Sequence, residues 1–467
     1  MSLENIINTL NLGPLSLLRR RAVESIDEAM RLGASFADLR YFRARTMAVS
    51  STESREVVNN YGVSEGHALR VLVNGSWGYY TTSESSVGAG AAREAFKSAS
   101  GQGNVRVYEL RPLRDRVEVK VRRPLAEDPA EVMRELRRIR EQVRAQEPRV
   151  KSITVNYSQV EYDKGYWSSD GRDLELRYSI SRVSLTAVAR EGDVVASAYA
   201  SKSTYLGYAL EVFDVNELID LLLRRLRSQL KGVTVRPGQY QVVLSPDVSG
   251  VFAHEALGHL AEADIAVDGI LGKLRGRRVA ADFVNVSDSP QLDDPMAIGI
   301  TPYDDEGVRG REVKIIEGGV MRELMNDRSY AASLGEEPTG NGRAEDFRSS
   351  VVVRMRNTYF KPGDMSLEEL LEGVKDGFLM ESVMGGQTSN DGTFQFGIQE
   401  GYRVVNGEVR EPIRGAGIAG YTIETIGNID GVSRDFKVWP GVCGKAGQSV
   451  FVGTGGPYVR VSKMKVG

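Results

Sequence analysis

The sequence has 467 residues, a length that predicts about two or three domains because a single hydrophobic core rarely serves so long a chain. Hydrophobic residues make up 41% and charged residues 26% of the chain, a composition that excludes a disordered or fibrous protein. The net charge of −3 provides no basic field, so the sequence argues against nucleic-acid binding.

Cysteine and histidine are rare, which narrows the chemistry open to this chain. Its single cysteine, Cys443, excludes an intramolecular disulfide, and its first fourteen residues lack the basic and apolar regions of a signal peptide. No apolar run approaches the ~20 residues that a membrane-spanning helix needs. We therefore expect a cytoplasmic protein without membrane association. Two of the three histidines, His254 and His259, lie close together, so few side chains are available for a metal site.

The first hundred residues alternate helical and strand-like patterns. Apolar residues recur at helical spacing after residue 15, and Gly33 is a natural stop. Asn74 and Gly75 form a typical turn between two strand-like runs. The pattern predicts helices at 15–32 and 85–98, and strands at 37–50, 56–61, 68–73 and 77–80.

The next segment repeats this rhythm. Pro129 near the start and Pro148 beyond the end delimit a charged helix, and Asp214 with Glu217 resembles a capping box that opens an amphipathic one. The pattern predicts helices at 128–146 and 214–230, and strands at 153–162, 174–181 and 183–189. The repeated order indicates antiparallel sheets and suggests a duplication, although no sequence self-similarity accompanies it.

The texture of the chain changes after the loop at 231–238, where glycine becomes frequent and short strand-like runs dominate. We predict an α+β fold. Residues 1–232 form an N-terminal helix-plus-antiparallel-sheet domain, subdivided near residue 105, and residues 233–467 form a β-rich domain carrying a short metal-binding helix. The glycine-rich tail at 377–467 suits a groove for an extended peptide, but tight turns in a β-rich domain would account for it equally well.

One helix in the C-terminal half carries the candidate chemistry. A short strand at 240–244 leads to Ser245, which has the character of an N-cap, and the helix then reaches His254 and His259. The zinc-protease motif spaces its histidines at i and i+4, whereas the spacing here is i and i+5. On a regular α-helix this places them roughly 140° apart around the axis and about 7.5 Å apart along it. Both can reach one ion only if the helix ends, widens or kinks, and Gly258 is the cheapest place for such a break.

Glu255 adjoins the first candidate ligand, where a carboxylate can act as the general base that activates water. Glu262 lies seven residues further on and is expected to support the site rather than perform the chemistry. The alternative is a pair of ordinary surface or core histidines beside a glutamate.

Cys443 is the only cysteine available as a third protein ligand, which a catalytic zinc site with an open position requires. A lone cysteine is more often a small buried hydrophobe. That interpretation weakens here, because the flanking residues are polar and glycine-rich.

The combination of these motifs resembles the TldD/PmbA family of peptidases. The resemblance covers nearly the whole chain and is sharpest after residue 240. It rests on HEALGH at 254–259 and CGKAGQ at 443–448, and on the stretches at 304–307, 354–358 and 385–387.

The resemblance implies a zinc metallopeptidase in which His254, His259 and Cys443 hold the ion and Glu255 is catalytic. Because all of these residues are present, the chain resembles the active TldD-type member rather than the ligand-lacking TldE/PmbA-type paralog. Lys445, within the second motif, is expected to support the ligands together with Glu262. Such proteins are similar in forming dimers around a chamber that admits small or unfolded peptides, so we expect a homodimer or a heterodimer with that paralog.

A second class of function remains open from the sequence. A metal-stabilised regulatory or binding protein without peptidase activity would use a closed four-ligand site, with Glu262 or Asp264 as the fourth ligand. The family's older description as a modulator of DNA gyrase fits this reading. The third histidine, His67, is expected to be structural.

Overall fold

The computed structural model describes residues 16–83 and 87–467. The predictions for the first fourteen residues, and the first residues of the helices predicted at 15–32 and 85–98, lie outside the described residues. In the described parts the helices are α1 (Ser16–Arg31), α2 (Ala89–Ser98), α3 (Pro129–Gln146), α4 (Ala209–Val212), α5 (Val215–Lys231), α6 (Pro246–Phe252), α7 (Ala263–Ala266), α8 (Ile270–Lys273), α9 (Arg328–Leu334), α10 (Leu367–Glu372) and α11 (Thr422–Gly427). None of these helices is long and apolar enough to cross a membrane.

The strands carry most of the architecture. They are β1 (Phe36–Ser51), β2 (Glu56–Val73), β3 (Ser76–Thr82), β4 (Leu113–Glu118), β5 (Val150–Ser168), β6 (Arg172–Glu191), β7 (Val194–Thr204), β8 (Val233–Thr234), β9 (Gly238–Leu244), β10 (Val286–Ser289), β11 (Val313–Glu317), β12 (Val320–Met321), β13 (Gly342–Arg343), β14 (Val352–Val353), β15 (Asn357–Phe360), β16 (Asp376–Thr388), β17 (Thr393–Val405), β18 (Glu408–Arg414), β19 (Gly417–Tyr421), β20 (Ile429–Val432), β21 (Lys437–Lys445), β22 (Gln448–Gly456) and β23 (Val459–Val466). The predicted α+β class, rich in β-structure, is confirmed.

Local sequence signals set the long helices of the N-terminal half. Asp128 caps α3 by accepting a hydrogen bond from the backbone N–H of Ala130, and Pro129 occupies the first turn. Asp214 caps α5 in the same way. The reciprocal half of the expected capping box is absent, because the Glu217 carboxylate instead pairs with Lys202 at 2.6 Å. Helices α3 and α5 bury their apolar faces against β5, β6 and β7.

The N-terminal strands form one seven-stranded sheet in the order β3-β2-β1-β5-β6-β4, with β7 also paired to β6. Strands β1 and β5 pair antiparallel from Asp38 opposite Ser168 to Ser51 opposite Val155, so residues on both sides of position 105 share one sheet. Helices α1 and α2 cover the part formed by β1 and β2. The predicted domain boundaries stay a prediction.

The C-terminal half builds two larger sheets around the candidate site. Strand β16 pairs with both β9 and β17, so five strands close into a ring in the order β16-β9-β23-β19-β17. A second sheet has the order β12-β11-β10-β15-β22-β21, which leaves β21 at its edge. Helix α6 packs between them: the buried Phe252 ring lies 5.2 Å from that of Phe394 on β17 and 6.0 Å from that of Phe360 on β15.

Candidate metal centre and active site

Helix α6 leads to the first candidate ligand, His254, and its N-terminus is fixed by a capping residue. Ser245 accepts a hydrogen bond from the backbone N–H of Val248 at 3.4 Å, and Pro246 fills the first helical position. Because Phe252 is fully buried between the sheets, the helix axis is fixed up to the residue before the motif.

The helix widens at the motif, as the spacing of the histidines predicts. Residues Ala253–Gly258 form a π-helical turn, in which the backbone N–H of His259 donates to the carbonyl of His254, followed by a 3₁₀ turn at His259–Ala261. Residues five apart therefore lie on one side of the helix, and the two imidazole rings are 5.2 Å apart between centroids. Gly258 keeps right-handed helical angles (φ −59°, ψ −53°), so the widening does not use its backbone freedom.

The three residues singled out from the sequence come together in the fold. The candidate ligand atoms of His254, His259 and Cys443 all lie within 4.8 Å of one another. The Sγ atom of Cys443 is 3.5 Å from Nε2 of His259. Tetrahedral zinc, with bonds of about 2.0–2.1 Å to nitrogen and about 2.3 Å to sulfur, places such atoms about 3.5 Å apart. The Nδ1 atom of His254 is buried and has no hydrogen-bond partner among the described residues, so one nitrogen of this ring is uncommitted. The donor set fits zinc.

The electrostatics of the cluster also suit a cation. Burial alone would raise the pKa of the Cys443 thiol, but His254 and His259 beside it lower that pKa to about 4. Burial would lower the pKa of His259, but hydrogen bonds to Cys443 and Glu262 raise it to about 10. The cluster therefore holds a proton between a thiolate and an imidazole, and a metal ion at this point competes with that proton.

Glu262 contacts the far side of the His259 ring. Its carboxylate is fully buried and accepts from Nδ1 of His259 at 3.0 Å and from Nζ of Lys445 at 3.0 Å. Burial would raise the pKa of Glu262, but His259 and Lys445 more than offset it, so the pKa is lowered and the group is ionised. Asp264 also accepts from Lys445 at 2.8 Å. Both alternative fourth ligands are thus engaged by this lysine, and neither belongs to the cluster of converging ligand atoms.

Two residues to which the sequence analysis gave no role, Arg354 and Met355, contact the residues of the site. The Arg354 guanidinium is fully buried and donates to the backbone carbonyl of Cys443 at 2.5 Å. The backbone N–H of Met355 donates to Glu262 at 3.2 Å, and the sulfur of Met355 lies against Gly258. The family-like stretch at 354–358 contains both residues, but no local pattern indicates what an arginine donates to across the fold.

Glu255 lies on the open side of the cluster. Its Oε2 atom is 4.0 Å from Nε2 of His259, the ring nitrogen that also faces Cys443, and its side chain is 24% exposed. Glu255 and His254 line a pocket of about 520 Å³, within the size range of small-ligand sites. The pocket is bounded by Tyr199 from the N-terminal sheet and by Gly385 at an irregularity of β16, so both halves of the chain contribute to it.

Known proteins are similar in sequence to this chain over nearly its full length. Models of the PmbA/TldA metallopeptidase family match in chain order: domain 1 over residues 37–101, the central domain over residues 122–230 and the C-terminal domain over residues 237–467. The zinc metalloprotease TldD homolog of Saccharolobus solfataricus is 44% identical over 95% of this chain and 98% of its own length.

Two solved structures share the fold. A Thermotoga maritima protein, proposed as a modulator of a DNA gyrase, matches with a TM-score of 0.79 at 21% identity over 96% of this chain and all of its own. TldE from Thermococcus kodakarensis matches with a TM-score of 0.76 at 18% identity over 94% of this chain and 98% of its own. At these identities the likeness concerns the fold alone. The three domain models and the S. solfataricus relative establish that the chain belongs to the PmbA/TldD family of metallopeptidases.

Proposed function

We propose that this metallopeptidase hydrolyses peptide bonds with zinc held by His254, His259 and Cys443 and with Glu255 as the general base. The observation that carries the proposal is the convergence of these three ligand atoms beside an open pocket, with the Glu255 carboxylate on the pocket side. Zinc is named for the S. solfataricus relative, and the donor set fits that ion.

Each protein group has a distinct part in the proposed reaction. Zinc, when bound, supplies Lewis acidity at the reacting centre. Glu255 accepts a proton from the attacking water at a carboxylate oxygen and passes it to the leaving amine nitrogen. Glu262 accepts from Nδ1 of His259, which keeps the proton on that nitrogen and leaves Nε2 free to ligate. Lys445 balances the charge of Glu262 within the protein interior.

The proposed substrate is a small or unfolded peptide in extended form. Strand β21, which carries Cys443, is the edge strand of its sheet, and its residues Gly441 and Val442 line the pocket. A peptide added to such an edge is bound mainly through its backbone, with little demand on side-chain identity. We also propose a homodimer or a heterodimer with a TldE/PmbA-type paralog, since the TldE structure has the same fold. A cytoplasmic location fits the lone cysteine, which has no disulfide partner.

A regulatory protein with a purely structural metal is supported less well. Such a site closes with four protein ligands, whereas three ligand atoms converge here and the carboxylates of Glu262 and Asp264 contact Lys445 instead.

The substitution Glu255→Gln separates catalysis from metal binding. We expect the variant to retain nearly all of its zinc, because Glu255 is not a ligand, and to lose peptide hydrolysis by about 100-fold or more, because a neutral amide cannot accept the proton. Cys443→Ala is the matched comparison and should lose most of its zinc. Zinc content by atomic spectroscopy and cleavage of an unfolded peptide are the two measurements. Unchanged turnover in Glu255→Gln would remove Glu255 from the mechanism.

A further inference from the structure

The pocket beside the metal centre holds a cation without a counter-ion. Arg182 lines the same pocket as His254 and Glu255. Its Nη2 group donates to the hydroxyl of Tyr199, a neutral partner, and its Nε atom is buried without an acceptor among the residues that the structure describes. Within residues 16–83 and 87–467 no carboxylate forms an ion pair with it. A guanidinium is always charged, so this positive charge faces the pocket unbalanced.

Strand alternation puts Arg182 in this position. It lies on β6 between the buried Ser181 and Val183, and Val183 faces the core formed with α3 and α5. Arg182 therefore points to the opposite face of the sheet, toward the C-terminal half. Its partner Tyr199 on β7 is fixed at the backbone: the Tyr199 N–H donates to Gln399 at 2.5 Å, and the Tyr199 carbonyl accepts from Arg225 at 2.8 Å. The guanidinium is held against a rigid neighbour.

The other arginine of the pocket is compensated, which makes Arg182 distinct. Arg225 pairs with Asp247 at 3.1 Å and lies 3.9 Å from Glu400. Another unmatched donor borders the same pocket, since the indole Nε1 of Trp439 is buried without an acceptor in the described part of the chain. Arg225 also has a buried Nε without an acceptor among the described residues, so what distinguishes Arg182 is that it alone of the two arginines also lacks a carboxylate partner there. A guanidinium without a carboxylate partner at the wall of a cavity points to a ligand that brings oxygen atoms.

We propose that Arg182 binds a carboxylate of the peptide substrate and so determines specificity for acidic or free-acid peptides. The planar guanidinium matches a carboxylate in two parallel hydrogen bonds. Two sources offer this chemistry, the C-terminal carboxylate and an Asp or Glu side chain. Arg182 is a specificity residue rather than a proton-transfer group. The proposal rests on the proposed peptidase function and names the substrate class that the site prefers.

The test uses four peptides of one sequence: free acid or C-terminal amide, each with an internal Glu or Gln. With the zinc-loaded full-length protein we expect a carboxylate-bearing peptide to be preferred by about 10- to 100-fold in kcat/KM, mainly through KM. The pair that carries the preference identifies the source of the carboxylate. Arg182→Gln should bring the ratio toward one, and Arg182→Lys should restore part of it. Arg190→Ala, on the exposed end of β6, is the control and should keep the full ratio.

The same four peptides are titrated into the zinc-loaded Glu255→Gln variant, with and without Arg182→Gln, and their Kd values are compared. This second experiment measures peptide binding separately from hydrolysis. A preference lost with Arg182 supports the inference even if hydrolysis is absent, in which case the peptidase proposal alone fails. Equal Kd values for all four peptides, or a preference that survives Arg182→Gln, overturn the inference even if every peptide is cleaved.

Discussion

At the residue scale, Glu262 is the carboxylate that ties the candidate metal centre together. It is fully buried, and it accepts hydrogen bonds from Nδ1 of His259, from Lys445 and from the backbone N–H of Met355. Those three donors come from three separate segments of the chain. A buried carboxylate with this set of partners remains ionised and fixes the orientation and the proton position of the imidazole it contacts.

We predict that Glu262→Gln weakens zinc binding by about 10- to 100-fold without removing a ligand. The glutamine amide keeps the size of the side chain but loses the negative charge that supports His259. Zinc affinity is measured by competition with a chelator. The matched control is Asp264→Asn, which also contacts Lys445 but not His259, and we expect it to bind zinc like the parent protein. Equal affinity in Glu262→Gln and the parent protein would contradict this role.

Rare residue types made the candidate site predictable from the sequence. With three histidines and one cysteine in the chain, His254, His259 and Cys443 were nearly the only ligand set available, and the fold brings them together. The role of Arg354 could not be predicted, because it donates to a backbone carbonyl 89 residues away and arginine is a common residue type. Chemistry that depends on unusual side chains is visible in a sequence, whereas support that passes through the backbone is not.

At the element scale, the widened helix at the motif depends on space as well as on hydrogen bonding. A Cβ added to Gly258 would lie 2.0 Å from the sulfur of Met355, whose side chain is fully buried. The glycine is thus required for close packing against β15 and its preceding loop, not for an unusual backbone conformation. The spacing of the histidines predicted the widening, but the reason for Gly258 became clear only from its neighbour.

We predict that Gly258→Ala destabilises the protein by about 1–3 kcal/mol through overpacking and also displaces His259. The free energy of unfolding and the zinc content are the two measurements, and both should fall. Gly90→Ala is the control, because a Cβ at that helical position meets nothing within 4 Å. If Gly258→Ala matched the parent protein in both measurements, the contact with Met355 would not constrain the motif.

Helices were predicted better than strands, for a physical reason. Helix caps and apolar stripes are local, and α3 and α5 end close to their predicted bounds. Strand β6 is one element from Arg172 to Glu191, although two strands, at 174–181 and 183–189, were predicted on either side of the polar Arg182. Strand β2 similarly runs unbroken from Glu56 to Val73. Polar residues that face a pocket or solvent interrupt the apolar pattern without interrupting the backbone ladder.

At the scale of the whole molecule, the order in which the strands pair could not be predicted from the sequence pattern. The pairing of β1 with β5 joins residues more than a hundred positions apart, and the closure of the five-stranded ring depends on β16 pairing with two partners. Neither pairing leaves a local signature, because hydrogen bonding between strands is the same for every sequence. The pocket exists only through this topology, since β7 and β21 approach each other from opposite halves of the chain.

That arrangement leads to our last prediction, which concerns access to the site. The pocket of about 520 Å³ lies between Tyr199 of one sheet and Gly441 of another, and it has room for a few residues of an extended chain. We therefore expect cleavage of short or denatured peptides with broad sequence tolerance, apart from any carboxylate preference, and no cleavage of compact folded proteins. One disulfide-stabilised protein is offered folded, then reduced and unfolded, alongside its short peptides, and products are identified by mass spectrometry. The zinc-loaded Glu255→Gln variant controls for contaminating proteases. Equal cleavage of the folded form, while its disulfides remain intact, would exclude restricted access and indicate an open cleft.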